Sequence, residues 1–460
     1  MNLTKISIEN FKCFQNEIDI DFGRLTLLTG ANSSGKSSII YSVLGSLQSG
    51  EFPFQFSTNG KYVNMGDFKE IVHDHNRKEK IKLAFSFKNG SVHTIETVWE
   101  ENLNNNLPQL FELKAQSDYF TVSVSKKGKK YSVDYTYDAV KDPQFDMMSN
   151  EMFRKLFANL SEVMETVKEQ KKTKGTNKTE PNNNLSKYLD DINTSQDIKG
   201  LLLDEIPLFR KKIDEKGVFK LKQIFDIISK VFSEYDEKIN FISSFRLHPE
   251  RTYLEQTKSK IKVNNFGDGY LDQIIIWETK NKQKFNQLIK ILKELKLLET
   301  IKSKRLEGGR YEISVQIKKG GIDTSLSDVG FGISQFLPII VADLQLPKNS
   351  TLYIAQPEIH LHPSVQSLFG DYLTNQIKTS SKNYVIETHS EYLLNRIRLA
   401  VVKDEVNSED VKVVFVDNQS KDNVIHKISF SKKGQILNAP DNFFKTYMMD
   451  VMDIAINAAE

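Results

Sequence analysis

Hydrophobic positions change their period several times along the chain. Residues 1–48 read as strand, strand, glycine-rich loop and helix. Leu25-Thr26-Leu27-Leu28 is a short apolar run of the kind a buried strand shows, and Ile39, Ile40, Val43, Leu44 and Leu47 then recur at helical spacing. From about 60 to 140 the pattern becomes alternation. Ile81, Leu83, Phe85 and Phe87 alternate with polar residues, as do Tyr131, Val133, Tyr135 and Tyr137, which predicts half-buried antiparallel strands. Asn89-Gly90 fits a hairpin turn.

The next segment has the helical period. Phe153, Leu156, Phe157, Leu160, Val163, Met164 and Val167 form one apolar stripe. Lys168 to Asn184 contains no large apolar residue and has the composition of a solvated tip. Helical patterning returns over Leu201–Ile213 and Phe219–Phe232. This predicts either an inserted helical arm or an extra helical layer packed on the domain. Helices of about 18 residues span only about 27 Å, too short for a coiled-coil lever.

From Ile239 the α/β character resumes. Ile239–Phe245 is strand-like, Phe285, Leu288, Ile289, Leu292 and Leu295 mark a helix, and Ile313, Val315 and Ile317 alternate as a strand. Residues 333–416 then read helix, strand, helix, strand, helix, strand, which implies a parallel sheet. The two ends of the chain are expected to share that sheet. The division is an N-terminal lobe over 1–145, a helical insertion over 146–238 with its tip near 168–187, and a C-terminal lobe over 239–460.

Composition narrows the class. The 460 residues are 39% hydrophobic and 27% charged, with a net charge of only +3, as in a globular protein without a basic excess. The single cysteine, Cys13, rules out a disulfide within the chain and a zinc site built of cysteines from one chain; it fits a reducing cytoplasm. Lys5, Glu9 and Lys12 are foreign to a signal peptide, and no run of about 20 apolar residues exists to span a membrane.

Gly30-Ala31-Asn32-Ser33-Ser34-Gly35-Lys36-Ser37 spells G-x-x-x-x-G-K-S, a phosphate-binding P-loop between the predicted strand and helix. The glycines let the backbone wrap a phosphate chain. The N–H groups from Asn32, Ser33 and Ser34 to Ser38 form the expected anion nest, backed by a helix N-terminus. Lys36 is expected to reach the β- and γ-phosphates of ATP, and the Ser37 hydroxyl to ligate Mg²⁺.

A second set of motifs lies in the C-terminal lobe. Thr351-Leu352-Tyr353-Ile354 is an apolar strand that runs into Ala355-Gln356-Pro357-Glu358-Ile359-His360-Leu361-His362-Pro363. P-loop ATPases normally end such a strand with an acid that holds Mg²⁺, and in many the next residue is a glutamate that activates the attacking water. Tyr384-Val385-Ile386-Glu387-Thr388-His389-Ser390 is a strand ending in a histidine placed to sense a γ-phosphate. Leu326 to Gln335 is a Gly/Ser loop entering a helix predicted over Phe336–Leu344, a candidate second phosphate cradle.

The order P-loop, Gly/Ser signature, P-E-x-H-L-H-P and T-H-S resembles the ABC-type ATPase heads of the SMC, RecF and OLD families, and within them the stand-alone OLD-like AAA-family ATPases of bacteria. Ile6 to Phe14, Ile428-Ser429-Phe430, Gly434 and Pro440 to Phe444 extend the likeness, which covers roughly 1–90 and 240–450. It implies an α/β fold: a P-loop NTPase head of ABC type with a split core, an antiparallel β-lobe and an inserted helical arm. It also implies a homodimer or higher homo-oligomer, paired head to tail, in which the P-loop of one subunit and the signature loop of the other sandwich each ATP. Gly332 and Ser334 are the signature candidates, Ser327 is an alternative register, and Gln48 is a candidate for the glutamine that couples to Mg²⁺.

The chain departs from its group at one point. The strand commonly ends I-E-Q-P-E; here it reads Ile354-Ala355-Gln356-Pro357-Glu358. Alanine stands at the acidic position and Gln356 at the usual catalytic-glutamate position. Ala355 cannot hold Mg²⁺ or its water, so hydrolysis is expected to be impaired, through natural loss or through a Glu→Ala replacement that traps ATP. Gln356, Glu358 and His389 remain the catalytic candidates, with a structural role for Glu358 left open. His360 and His362 are expected in a phosphate-proximal loop. Arg246 and Arg251 are expected to touch DNA or a partner, or to form surface salt bridges.

OLD nucleases carry a TOPRIM domain after the ATPase. Here 71 residues follow His389, with no D-x-D cluster among them, so the chain is not expected to cut nucleic acid itself. The resemblance implies an ATP-driven switch subunit of an anti-phage defence system that controls a separately encoded nuclease or toxin. The alternatives are a RecF-like DNA-binding or repair ATPase and a non-hydrolysing, ATP-locked scaffold. Nucleic acid is a candidate partner; a membrane is not.

Overall fold

Strands from the two ends of the chain interleave in one sheet. A computed structural model describes residues 2–88, 90–142, 196–203, 219–254, 262–418, 423–441 and 443. The chain begins with β1 (Asn2–Glu9), β2 (Ile18–Asp21), β3 (Leu25–Gly30), α1 (Lys36–Gln48) and the short α2 (Phe68–Ile71). Then come β4 (Ile81–Lys88), β5 (Thr94–Glu101), β6 (Pro108–Gln116), β7 (Phe120–Lys127), β8 (Lys130–Tyr137), β9 (Gln196–Leu203) and α3 (Phe219–Glu237). After these lie β10 (Ile239–Ile242), β11 (Tyr253–Leu254), α4 (Tyr270–Lys280), α5 (Lys282–Glu294), β12 (Thr300–Leu306), β13 (Arg310–Gln316) and β14 (Thr324–Ser325). The last part is α6 (Phe331–Gln345), β15 (Thr351–Ala355), α7 (Pro363–Thr379), β16 (Asn383–Glu387), α8 (Glu391–Val402), β17 (Val411–Asp417), β18 (Val424–Phe430) and β19 (Ile436–Leu437).

The central sheet has the order β10-β15-β16-β3-β17-β18-β19. Its first five strands run parallel, and β18 and β19 close it antiparallel. All six positions of β3 are buried, as a parallel strand covered on both faces requires. Leu28, Tyr353, Ala355 and Val385 face one core, shared with α1, α3 and the antiparallel lobe. Leu25, Leu27, Ile354 and Ile386 face the other, under α6, α7 and α8. The antiparallel lobe is the sheet β2-β1-β4-β5-β6-β7-β8-β9.

The sequence reading and the structure differ in the insertion. Gln196–Leu203 is a strand paired antiparallel with β8, although Leu201–Ile213 has helical patterning. A run such as Leu201-Leu202-Leu203 is compatible with either period, and an open edge beside β8 decides it. The helix expected at Phe219–Phe232 is present as α3. It buries Ile224, Ile228, Val231 and Tyr235, and the Phe232 ring meets Phe52, Phe85 and Phe87. That stretch is therefore a packed layer on the lobe. The stripe at Phe153–Val167, the tip near 168–187, residues 204–218 and Asn89 of the hairpin turn lie outside the described residues. The helix predicted over Phe336–Leu344 starts earlier, at Phe331, so Gly332 and Ser334 fall in its first turn. No described helix is long and apolar enough to cross a membrane.

Candidate functional site: a phosphate cleft at the P-loop

Close approach of neighbouring chain dictates both P-loop glycines. Gly30 has φ +138°, and a Cβ there would lie 2.2 Å from the Val416 carbonyl oxygen of β17. Gly35 has φ +100°, and its Cβ would lie 2.2 Å from Cys13 Sγ. Ser33, at φ 57°, completes the left-handed bends. The loop is braced from outside: Asn423 Nδ2 donates to the Ser34 carbonyl at 2.7 Å and Asn418 Nδ2 to that of Asn32 at 3.3 Å. Lys36 Nζ donates to the Gly30 and Ala31 carbonyls at 3.2 and 2.5 Å. Burial pushes its pKa down, against the opposing charges of Glu387 and Glu358. Above the loop lies a cleft of about 690 Å³, lined by residues 32–38 together with Gln356, Glu387 and His389.

The second wall comes from strand ends. β15 and β16 pair in register, so Ala355 sits beside Glu387, and Glu387 beside Leu28 of β3. The Ser37 hydroxyl lies 3.0 and 2.8 Å from the two Glu387 oxygens and donates to them. Glu387 is only 5% exposed. Burial raises its pKa, and the Ser37 bond and the Lys36 charge oppose the rise. Sequence reasoning missed this residue as a member of the site. The available signal was an acid closing the strand that ends in His389.

Gln356 follows Ala355 in a left-handed conformation, φ 47°, and its N–H donates to the Glu387 carbonyl at 2.7 Å. Such a backbone in a residue other than glycine costs of order 1 kcal/mol and collects at functional sites. The Glu358 carboxylate accepts from Thr388 Oγ1 at 2.9 Å and from the His389 N–H at 2.6 Å, so it holds the T-H-S turn in shape. Burial raises its pKa. The His389 ring is at the cleft, and partial burial followed by the Lys36 charge lowers its pKa.

The signature candidates are placed differently from one another. Ser334 is fully buried and donates to the Phe331 carbonyl within α6 at 3.1 Å. Ser327 is half-exposed, 3.0 Å from Ser325 Oγ. Gly332 is needed where it stands, because a Cβ would lie 2.6 Å from the His360 carbonyl oxygen. Phe331, 52% exposed, sits between the rings of His248 and His360 at 5.0 and 5.8 Å.

Three expectations need correction. His360 lies beside the start of α6 and His362 caps α7, accepting from the Ser364 N–H at 3.3 Å; neither lines the phosphate cleft. Gln48 has its carboxamide engaged: Nε2 donates to the Ser57 and Val63 carbonyls, both at 3.0 Å, and Oε1 accepts from the Tyr62 and Val63 N–H groups at 3.1 and 3.0 Å. It holds a loop and has no oxygen free for a metal. Arg246 is 2% exposed and donates to the carbonyls of Gln335, Ala355 and Gln356 at 3.3, 2.8 and 3.3 Å. Gln335 Nε2 returns bonds to the Arg246 and Leu247 carbonyls at 3.3 and 3.2 Å. Burial lowers the Arg246 pKa to about 10, still charged at neutral pH. Arg251 does form an exposed two-pronged pair with Asp328, at 3.1 and 2.8 Å.

The donors suit a nucleotide with its magnesium. Among the described residues no group of three His, Cys, Asp or Glu could hold a metal by protein ligands alone. Mg²⁺ bound together with phosphates needs only one or two protein oxygens, and hard ones, which the cleft offers.

Similar solved structures include the Smc head domain with an extended coiled coil bound to the C-terminal domain of ScpA, derived from Pyrococcus furiosus. It has 10% identity and a TM-score of 0.39, with 100% of this chain and 99% of that chain covered. The SMC head domain from Thermotoga maritima has 12% identity and a TM-score of 0.37, covering 93% and 99%. An SmcHead bound to the C-winged helix domain of ScpA has 12% identity and a TM-score of 0.41, covering 93% and 98%. At such scores the fold rests on its own strand order and not on these likenesses. No curated protein matches the chain. The model of the AAA ATPase domain matches residues 1–394, and a match over so much of the chain makes it a member of that ATPase family.

Proposed function

We propose that the protein is an ATP-binding and ATP-hydrolysing switch subunit of a bacterial anti-phage defence system, which acts in the cytoplasm and controls a separately encoded nuclease or toxin. The observation that carries the nucleotide reading is the braced P-loop with Lys36 buried over it and Ser37 turned toward the strand ends. The loop N–H groups and Lys36 take the phosphate chain, Ser37 supplies an oxygen to Mg²⁺, and bound Mg²⁺ neutralises phosphate charge. The His389 ring lines the same cleft as the P-loop, which supports its reading as the residue that meets the terminal phosphate. Ala355 offers no carboxylate to order the attacking water, so binding outlasts turnover. The exposed start of α6 supports head-to-tail pairing of two copies. The defence role rests on the resemblance to OLD-like ATPases. The test is phage plating on cells that carry the whole operon with wild-type protein or Lys36→Ala. Protection is expected to need Lys36; equal protection by both would overturn the ATP-switch reading.

A further inference from the structure

We infer that Glu387, the last residue of β16, is the carboxylate that holds the P-loop Mg²⁺, in place of residue 355 on β15. The inference rests on the ATP-binding reading above. Its first support is spacing. Oxygens at 2.0–2.1 Å from a magnesium in octahedral geometry lie about 3 Å from their neighbours. Ser37 Oγ lies 3.0 and 2.8 Å from the Glu387 oxygens, the separation of two adjacent ligands. Its second support is charge. Glu387 is 5% exposed, and among the described residues the Ser37 hydroxyl is the only hydrogen-bond donor to its carboxylate, which feels the Lys36 charge but forms no direct ion pair. A buried carboxylate without a directly bound cation is costly, and a bound cation relieves that cost.

The third support is register. Ala355 lies beside Glu387, and its methyl group offers no oxygen. Glu358 is engaged elsewhere, by Thr388 and His389. The Gln356 N–H fixes the Glu387 carbonyl and so pins the strand end that carries the acid. Mg²⁺ keeps several waters and commonly takes only one or two protein carboxylates, so one is enough. Loss of an acid at 355 then leaves metal-dependent nucleotide binding in place and falls on turnover instead.

The test uses the full chain and adenylyl imidodiphosphate, titrated by calorimetry with Mg²⁺ and with EDTA, alongside electron paramagnetic resonance of Mn²⁺ in the same complex. Wild type is expected to bind more tightly with metal. Glu387→Gln is expected to lose at least about tenfold of the metal-dependent gain, keep its EDTA affinity, and alter the Mn²⁺ spectrum. Matching EDTA affinities show that the variant is folded; if Glu387→Gln does not fold, Glu387→Asp keeps the charge and is expected to retain part of the gain. Full retention of the gain by Glu387→Gln, or by Glu387→Asp with an unchanged spectrum, would overturn the inference alone. No binding by wild type in either buffer would overturn the ATP-binding reading and this inference with it.

Discussion

Ser37 on α1 and Glu387 on β16 stand 350 positions apart in sequence and meet at 2.8 Å. The contact welds the N-terminal phosphate loop to the C-terminal strands, so the cleft exists only when both ends of the chain have folded into one sheet.

Lys36→Ala should leave the fold in place and remove nucleotide binding. The ammonium supplies charge-assisted bonds worth about 1.5–3 kcal/mol each, or roughly 10- to 150-fold in affinity per bond. Calorimetric titration of ATP into both proteins reads this directly, and equal affinities would refute the site.

Ala355→Glu should raise turnover. The new carboxylate would stand beside Glu387, where it can order the attacking water. Misplacement of reacting groups by about 1 Å costs on the order of 100-fold, so recovery of at least about tenfold, some 1.4 kcal/mol of barrier, is expected. Phosphate release at saturating ATP measures it; an unchanged rate would show that residue 355 orders neither metal nor water.

Ser327→Arg should block ATP-driven pairing, because that position is half-exposed beside the start of α6. Ser334→Ala removes a bond internal to the helix, at a cost near 1 kcal/mol, and should pair normally. Sedimentation with ATP and Mg²⁺ separates the two; the reverse pattern would place Ser334 in the composite site.

Glu358 should make stability depend on pH. Burial raises its carboxyl pKa in the folded protein, so the folded state binds that proton more tightly than the unfolded chain. Stability from this group is then fully present below the ordinary carboxylate range and falls as pH rises through the folded pKa. Glu358→Gln lacks that fall but leaves one of its two donors, Thr388 or His389, without an acceptor. The mutant's deficit in melting temperature should therefore shrink as pH rises from about 4 to 7. A deficit independent of pH would exclude burial of this charge as a source of the pH dependence.

What could be read in advance divides by range along the chain. The P-loop was legible because its eight residues are contiguous, and the helix–strand alternation of 333–416 was legible because each element carries its own period. Glu387 was not, because its role depends on the register between β16 and β3. The roles of Gln48 and Arg246 are hidden for a related reason: each spends its side chain on carbonyls of other segments, which leaves no periodic trace. Glycine and serine are weak helix formers, so the local sequence favours a loop at Ser334, yet α6 starts at Phe331 and packs the hydroxyl inside.

Because Arg246 and Gln335 clasp each other's backbone and Arg246 also holds the carbonyls of Ala355 and Gln356, the start of α6 and the end of β15 travel as one piece. In a head-to-tail pair, that piece would touch two nucleotides at once, the subunit's own through β15 and its neighbour's through α6. Neither binding event could then be private to one subunit, and what one site holds would bear on the affinity of the other.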